Sequence, residues 1–276
     1  MKLTYLGTAA AEGAPALFCN CAHCRAARQL GGKNIRTRSQ SLLNDDLLID
    51  LPADTYQHFL QYGIEGDRIP YLLITHPHSD HFYAQELLLR RGAYAHEMRA
   101  PALAVFGSAA SLEKLIALHG HVPSGMSFTV LQAFECMQVG AYRITALPAR
   151  HLPEQEGAAF NYIIEREGKA LYYAHDTGLP FDEAFDFIKQ RNFRFDLVSM
   201  DCTCGDMPTP DEAKHMGIEN NCRMVDRLRA FGAITPETVL VISHFSHNCD
   251  PLQERLELLV AADGWQVAFD GREVEF

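Results

Sequence analysis

One six-residue segment limits the chemistry of this chain more than any other. His76-Pro77-His78-Ser79-Asp80-His81 follows directly on the apolar run Tyr71–Thr75. Pro77 cannot donate a hydrogen bond to a strand ladder, so the chain is predicted to turn where the strand ends. Three imidazoles and one carboxylate are the ligand types that bind zinc, iron or manganese. Because histidines are only 13 of 276 residues, their concentration here indicates a metal site rather than a polar loop with chance histidines.

Short apolar runs and helical periodicity are interleaved along the chain, which favours an α/β layered fold. The β-like runs are Leu3–Leu6, Leu47–Asp50, Tyr71–Thr75, Leu103–Phe106, Phe128–Leu131, Tyr142–Leu147, Tyr162–Glu165, Ala170–Ala174, Leu197–Met200 and Thr238–Ser243. The helical runs are Ala53–Tyr62, Ala84–Arg91, Ser111–Leu118, Phe181–Gln190, Ile218–Ala230 and Leu252–Ala262. This pattern predicts two sheets packed face to face with helices outside. No linker or fixed-period repeat divides the chain, so one domain over residues 1–276 is predicted.

Net charge and hydropathy restrict the kinds of partner that this protein can bind. The formal net charge is −11, which disfavours a nucleic-acid partner because phosphate contacts need a basic surface. No apolar run approaches the roughly 20 residues that span a bilayer, so no membrane partner is expected. The segment Met1–Thr8 lacks a signal core and is predicted to be a first strand, which favours a cytoplasmic location. A small phosphorylated substrate is the expected partner, and a homodimer is one option for assembly.

The motif His-x-His-x-Asp-His after an apolar strand resembles the signature of the metallo-β-lactamase superfamily. The resemblance implies an αββα sandwich of two mixed sheets, with a dinuclear metal site at one edge. It also implies further ligands at the ends of later strands, where the chain has His151, Asp176 and His244. By the family pattern, one ion would be held by His76, His78 and His151. The second would be held by Asp80, His81 and His244, and Asp176 would bridge the two.

A second cluster, Cys19-Asn20-Cys21-Ala22-His23-Cys24, has the form Cys-x-Cys-x-x-Cys. Three thiolates so close together are typical of a structural zinc site with closed tetrahedral geometry. The residues alone leave the fourth ligand open between His23 and a distant side chain. Free cysteines in a loop are the simpler alternative. A reducing compartment agrees with either interpretation.

The cysteine loop, the early Leu6-Gly7-Thr8 and the late Ser243-His244-Phe245-Ser246-His247 together resemble the PhnP-like branch of the superfamily. In that branch the fourth structural ligand lies three residues after the last catalytic one, which implies His247 here, with His23 a spacer. The resemblance also implies that His215 faces the substrate phosphate, where an imidazole would protonate the leaving alkoxide or stabilise charge on phosphorus. A surface histidine at the start of a helix is the simpler alternative. Asp201 would orient a metal-binding histidine. Asp80 is grouped with these two as catalytic.

The remaining histidines and two further cysteines are not predicted to bind metal. His175 is predicted to be structural rather than a ligand, and Cys202 and Cys204 are assigned no role. Four further histidines without evident partners are predicted to lie on the surface: His58, His96, His119 and His121.

The function implied by the resemblance is hydrolysis of a small cyclic phosphodiester, such as phosphoribosyl 1,2-cyclic phosphate, by a metal-bridging hydroxide. The expected cofactors are two catalytic divalent metals, zinc or manganese with iron as an option, and one structural zinc. A PqqB-like metalloprotein of cofactor biosynthesis is one alternative, and a thioesterase or lactonase of the same fold is another. A tRNA-processing nuclease shares the ligand set, but the acidic composition argues against it.

Overall fold

The chain forms two seven-stranded β-sheets in a computed structural model that describes residues 1–155, 157–249 and 251–276. The strands are β1 (Lys2–Gly7), β2 (Gln40–Leu43), β3 (Leu47–Ile49), β4 (Tyr71–Leu73), β5 (Leu103–Gly107), β6 (Met126–Val130), β7 (Cys136–Val139), β8 (Tyr142–Pro148), β9 (Phe160–Arg166), β10 (Lys169–Ala174), β11 (Leu197–Asp201), β12 (Val239–Ser243), β13 (Gln266–Val267) and β14 (Arg272–Glu275). The first sheet has the order β14-β1-β2-β3-β4-β5-β6, and the second has β13-β12-β11-β10-β9-β8-β7.

Each sheet is mixed, and its parallel half determines where functional residues can meet. Strands β3 to β6 run parallel in the first sheet, and β10 to β13 run parallel in the second. The carboxyl ends of parallel neighbours lie at the same edge of a sheet. The segments that follow β10, β11 and β12 therefore lie together at one edge of the second sheet, and the segment that follows β4 lies at the corresponding edge of the parallel half of the first. Such edges are the usual place for binding sites in sheets of this kind.

Helices cover the outer faces of both sheets. Their bounds are α1 (Ala22–Leu30), α2 (Thr55–Tyr62), α3 (Ala109–His119), α4 (Asp182–Gln190), α5 (Ile218–Ala230) and α6 (Gln253–Val260). Phe185 of α4 and Met224 of α5 share a buried cluster with Tyr172 of β10. Leu115 of α3 packs with Leu72 of β4 on the outside of the first sheet.

A third hydrophobic cluster fills the space between the sheets. It contains side chains from both, such as Tyr5 and Leu73 from the first sheet and Tyr162 and Tyr173 from the second. With a helix layer on each outer face, this arrangement is the predicted αββα sandwich. Within the described part of the chain, no helix is long and apolar enough to cross a membrane.

All ten predicted β-like runs fall on strands, and most helical runs fall on α-helices. One helix prediction is wrong in type, because Ala84–Arg90 is a 3₁₀ helix. Its buried residues Ala84 and Leu87 are three apart, the period of a 3₁₀ helix rather than an α-helix. Sequence periodicity missed α1, as well as β2, β7, β13 and β14, because these elements are short or mostly polar.

Candidate metal centre

Three buried residues adopt the left-handed backbone conformation within two residues of the end of a strand. They are Asp50 after β3, Asp176 after β10 and His244 after β12, with φ values of 67°, 50° and 62°. Such angles are uncommon for residues other than glycine, and they cluster at functional sites. The reversal ends each strand abruptly at the same region of the molecule.

The first group of potential ligands contains His76, His78, His151 and Asp176. The Nδ1 atom of His78 lies 3.0 Å from Nε2 of His76 and 3.2 Å from Nε2 of His151. Asp176 Oδ2 is 3.1 Å from His76 Nε2. Ligand atoms at 2.0–2.1 Å from a tetrahedral zinc ion lie roughly 3.3 Å from one another. The spacing therefore fits a common metal ion.

The second group contains Asp80, His81, His244 and again Asp176. His81 Nε2 lies 3.2 Å from His244 Nε2, 3.4 Å from Asp80 Oδ2 and 3.3 Å from Asp176 Oδ2. The Thr203 hydroxyl donates to Asp201 Oδ2, so in its 2.8 Å contact with Nδ1 of His244 the imidazole is the donor. This bond leaves Nε2 of His244 with its lone pair towards the group, the state that metal binding requires.

Asp176 is the only residue that belongs to both of these groups among the described residues. Burial opposes its ionisation, but the surrounding histidines outweigh burial and hold the pKa of Asp176 well below its usual range. Burial lowers the pKa of His76 to about 3, so that ring is neutral and able to bind a metal at neutral pH.

Bound metal fits these residues for a second reason. The Oδ1 atom of Asp176 is buried and makes no well-directed hydrogen bond among the described residues, although His215 Nδ1 lies 3.0 Å away. Buried polar atoms are nearly always satisfied. A set of imidazole nitrogens and carboxylate oxygens around such atoms is what zinc, manganese or iron sites provide.

His215 lies at the open side of the two groups. Its Nδ1 atom is 3.0 Å from Asp176 Oδ1 and 3.8 Å from Asp201 Oδ2, and 32% of its side chain is exposed. Burial lowers the pKa of His215, but Asp176 and Asp201 outweigh that effect and raise it to about 11. His215 is therefore the predicted catalytic residue that solvent can reach.

Asp201 has a different position, because it is fully buried. Its carboxylate accepts hydrogen bonds from the backbone N–H groups of Thr203 and Met216 and from the Thr203 hydroxyl. The Thr203 hydroxyl also contacts Nδ1 of His244. Asp201 thus orients His244 and is a positioning residue without access to a substrate.

The loops that carry His151, Asp176 and His215 are tied together at Gly178. A Cβ atom at this position would lie 1.8 Å from the backbone oxygen of Ala213. The Gly178 N–H also donates to the Arg150 carbonyl at 3.1 Å. Only glycine permits this close approach, which brings three ligand-bearing loops into contact.

The predicted structural site is also assembled. Cys19, Cys21, Cys24 and His247 place their ligand atoms within 4.8 Å of one another. Cys21 caps α1 and accepts a hydrogen bond from the Cys24 N–H. That bond, together with His247 at 3.6 Å, lowers the pKa of Cys21 to about 6, which favours the metal-binding thiolate. His23 is outside the group.

The sequence model of the beta-lactamase superfamily domain matches residues 47–245. The chain belongs to the beta-lactamase superfamily. This membership confirms the predicted superfamily, and the two flanked sheets confirm the predicted fold. Among curated proteins, no sequence matches this member of the superfamily.

Solved structures of the same fold cover the whole chain. A diphosphatase from the PhnP family is 19% identical, with a TM-score of 0.76 over 100% of this chain and 97% of its own. Zn²⁺-bound PqqB from Methylobacterium extorquens is 20% identical, with a TM-score of 0.77 over 100% of both chains. Human tRNase Z, short form, is 17% identical, with a TM-score of 0.66 over 100% of this chain and 99% of its own. At these identities the likeness concerns the fold.

Sequence reasoning missed Asp50, although it had placed this residue at the end of a strand. Asp50 is fully buried behind the motif. Its carboxylate accepts hydrogen bonds from His81 Nδ1 at 2.7 Å and from the Thr75 N–H at 2.8 Å. An aspartate directly after an apolar strand that neighbours the motif strand was the available signal. Asp50 fixes the His81 ring so that Nε2 faces the metal group.

Replacing Asp50 by alanine is expected to weaken zinc binding by about 10- to 100-fold, because His81 loses the acceptor that orients it. The change also leaves buried donors of His81 and Thr75 unpaired, which should cost about 2–4 kcal/mol of stability. Zinc titration by calorimetry and thermal unfolding measure the two effects. Asp45→Ala, in the nearby turn with 89% of its side chain exposed, is the control. Equal zinc affinity in both variants would contradict the assignment.

The remaining histidines divide into buried and surface residues. His175 is in none of the metal-sized groups of described residues, and its Nε2 contacts Ser199 Oγ at 2.7 Å, as a structural role requires. The surface prediction for His58 is wrong. It is 1% exposed, and burial lowers its pKa to about 4. Its Nδ1 contacts the Gln40 side chain, which in turn donates to the backbone carbonyl of Asp50.

His96 and His121 are exposed as predicted. His119 is half-buried, and its Nε2 lies 3.0 Å from the backbone oxygen of Ala84. These three histidines therefore take no part in the metal centre.

Proposed function

We propose that this protein is a metal-dependent hydrolase that binds two catalytic metal ions and cleaves a small phosphodiester. One observation carries the proposal: the carboxylate of Asp176 is shared by the two groups of potential ligands described above, and by a third that contains His215 and Asp201. A carboxylate with two oxygens can bridge metals about 3.5–4 Å apart, the separation used by two-metal phosphoesterases. His76, His78 and His151 would hold one ion, and Asp80, His81 and His244 the other.

The metal ions supply Lewis-acid chemistry when bound, since they polarise phosphoryl oxygens and make water a better nucleophile at neutral pH. The protein's own residues supply the proton for the leaving group. The Nδ1 atom of His215 faces the carboxylates of Asp176 and Asp201, at 3.0 Å and 3.8 Å, so Nε2 is the atom left to donate a proton to a leaving group. Imidazole in this position acts as a general acid towards a departing alkoxide.

Two features of the comparisons are consistent with this function. The superfamily membership supports metal-dependent hydrolysis, and the similar PhnP-family diphosphatase acts on a phosphate compound, as its name states. PqqB has the same fold, so a role in cofactor biosynthesis is the second candidate. Bound iron with oxygen consumption would favour the second candidate, whereas zinc or manganese with phosphodiester cleavage would favour the first.

The protein loaded with manganese or zinc is expected to cleave bis(p-nitrophenyl) phosphate, and His76→Ala should abolish this activity. His215→Gln should lower kcat by about 100-fold or more for a diester with a poor alkoxide leaving group, because that group needs a proton. The same change should have a much smaller effect with p-nitrophenolate, which leaves without protonation. Steady-state kinetics with the two substrates measures the difference.

His119→Gln is a suitable control, since this half-buried histidine lies outside the metal groups of the described residues. If His215→Gln lowers kcat equally for both leaving groups, His215 is not the general acid. A metal-loaded protein that cleaves no phosphodiester at all would refute the proposed function.

A further inference from the structure

A cavity of about 620 Å³ opens beside the metal centre and has no part in the function described so far. One of its lining residues is His151, a potential ligand of the first metal group. The cavity therefore borders the first metal group at His151.

The size of this cavity exceeds what the smallest candidate substrates need. Pockets for drug-sized ligands measure about 300–1,000 Å³, so this space holds more than a pentose ring. A substrate that fills it must carry a further organic group next to the reacting phosphate.

The walls of the cavity define the chemistry of that group. Most are apolar, including Phe134, Leu152, Pro153 and Phe181. Arg150 also lines the cavity, with its guanidinium 4.2 Å from the centre of the Phe181 ring. Its Nε atom donates to the Leu179 carbonyl at 2.9 Å, which holds the stacked pair in place as a flat platform.

Charges at the cavity largely cancel. Arg150 and Lys214 are offset by Glu183 and Glu212 in the same lining, and Lys214 lies 3.6 Å from Glu154. Among the described residues, the lining therefore has no marked excess of charge of one sign that would attract a second anionic or cationic group. The lining favours a neutral group with an apolar, flat face.

We propose that this cavity binds a neutral aromatic group, of aryl or nucleobase size, attached to the phosphate that the metal centre cleaves. The inference rests on the proposed function for the position of the phosphate. It narrows the substrate class from small phosphodiesters in general to those that carry an aromatic substituent.

The affinity of the protein for non-hydrolysable phosphinates tests this assignment without a measurement of catalytic activity. The zinc-loaded protein should bind diphenylphosphinate at least about tenfold more tightly than dimethylphosphinate, because the cavity removes the larger apolar surface from water. Ala133 is an exposed residue of the lining, so Ala133→Trp should fill the space without disturbing the core. This variant should lose most of the preference and keep its affinity for dimethylphosphinate, as measured by calorimetry.

Ala117→Trp, on the exposed surface of α3, is the matched control and should retain the preference. Equal binding of the two phosphinates by the unmodified protein, or no measurable binding of either, would overturn the inference. So would an unchanged preference in Ala133→Trp.

Hydrolysis of bis(p-nitrophenyl) phosphate is measured on the same samples and separates the two proposals. Aryl preference without hydrolysis would refute the phosphodiesterase function alone. Hydrolysis without aryl preference would refute the cavity assignment alone.

Discussion

Asp176→Asn is expected to lower kcat/KM for phosphodiester cleavage by about 10³-fold and to reduce the bound catalytic metal. Asp176 Oδ2 lies 3.1 Å from His76 Nε2 and 3.3 Å from His81 Nε2, so it contacts both ligand groups. Asparagine keeps one oxygen but loses the charge that would offset the two proposed cations. Bridging by a neutral amide should therefore cost several kcal/mol of transition-state stabilisation, and each 1.36 kcal/mol corresponds to a factor of ten in rate.

The substitution is chosen to preserve the backbone. Asp176 has a φ of 50°, and asparagine tolerates the left-handed region better than most residues. Circular dichroism should therefore be unchanged while the metal content, measured by mass spectrometry, falls. Asp226→Asn, with 75% of the native side chain exposed, controls for the loss of one negative charge. Full activity and two bound metals in Asp176→Asn would refute a bridging role.

Much of this centre could be predicted because its ligands follow apolar strands that are easy to recognise. The run Tyr71–Thr75 locates the motif, and strand ends locate His151, Asp176 and His244 by resemblance to the superfamily. Parallel pairing then brings separate strand ends to one edge. These are the parts of the site that hydrophobic patterns and residue type determine together.

Asp50 shows where that reasoning stops. Its role depends on the pairing of β3 with β4, which brings Ile49 opposite Leu73 and places Asp50 next to Thr75. A single sequence gives the strands but does not give their order in a sheet. His58 was misjudged for the same reason, because its partner Gln40 lies on β2, a short strand that periodicity did not reveal.

The cysteine group illustrates a different limit. The spacing of the three cysteines predicts a metal site, but His23 and His247 are equally acceptable ligands on the basis of residue type. The structure separates them, because His247 places a ring nitrogen within 4.8 Å of the three thiols and His23 is outside that group. His247 reaches the cysteines from the segment after β12. That segment is paired with the N-terminal region, where the Phe245 N–H donates to the Thr8 carbonyl at 2.9 Å.

Cys24→Ser is expected to lower the zinc content by one ion per chain, even when the catalytic site is fully loaded with metal. It should also lower the free energy of unfolding by about 3 kcal/mol. Structural zinc sites contribute directly to folding free energy, and the loss of such a site is among the larger effects of a single substitution. Cys24 is fully buried, so water cannot substitute for its thiolate. The corresponding fall in Tm is roughly 5–10 °C for a domain of this size.

The same variant should also weaken the catalytic centre. His247 follows His244 by three residues, so releasing His247 from the cysteines loosens the segment that positions His244. Zinc titration should therefore show a lower affinity at the catalytic site as well as one ion fewer. Cys136→Ser is the matched control, because Cys136 is exposed and outside the metal groups of the described residues. If Cys24→Ser and Cys136→Ser bind the same amount of zinc and unfold at the same temperature, the cysteine group holds no structural metal.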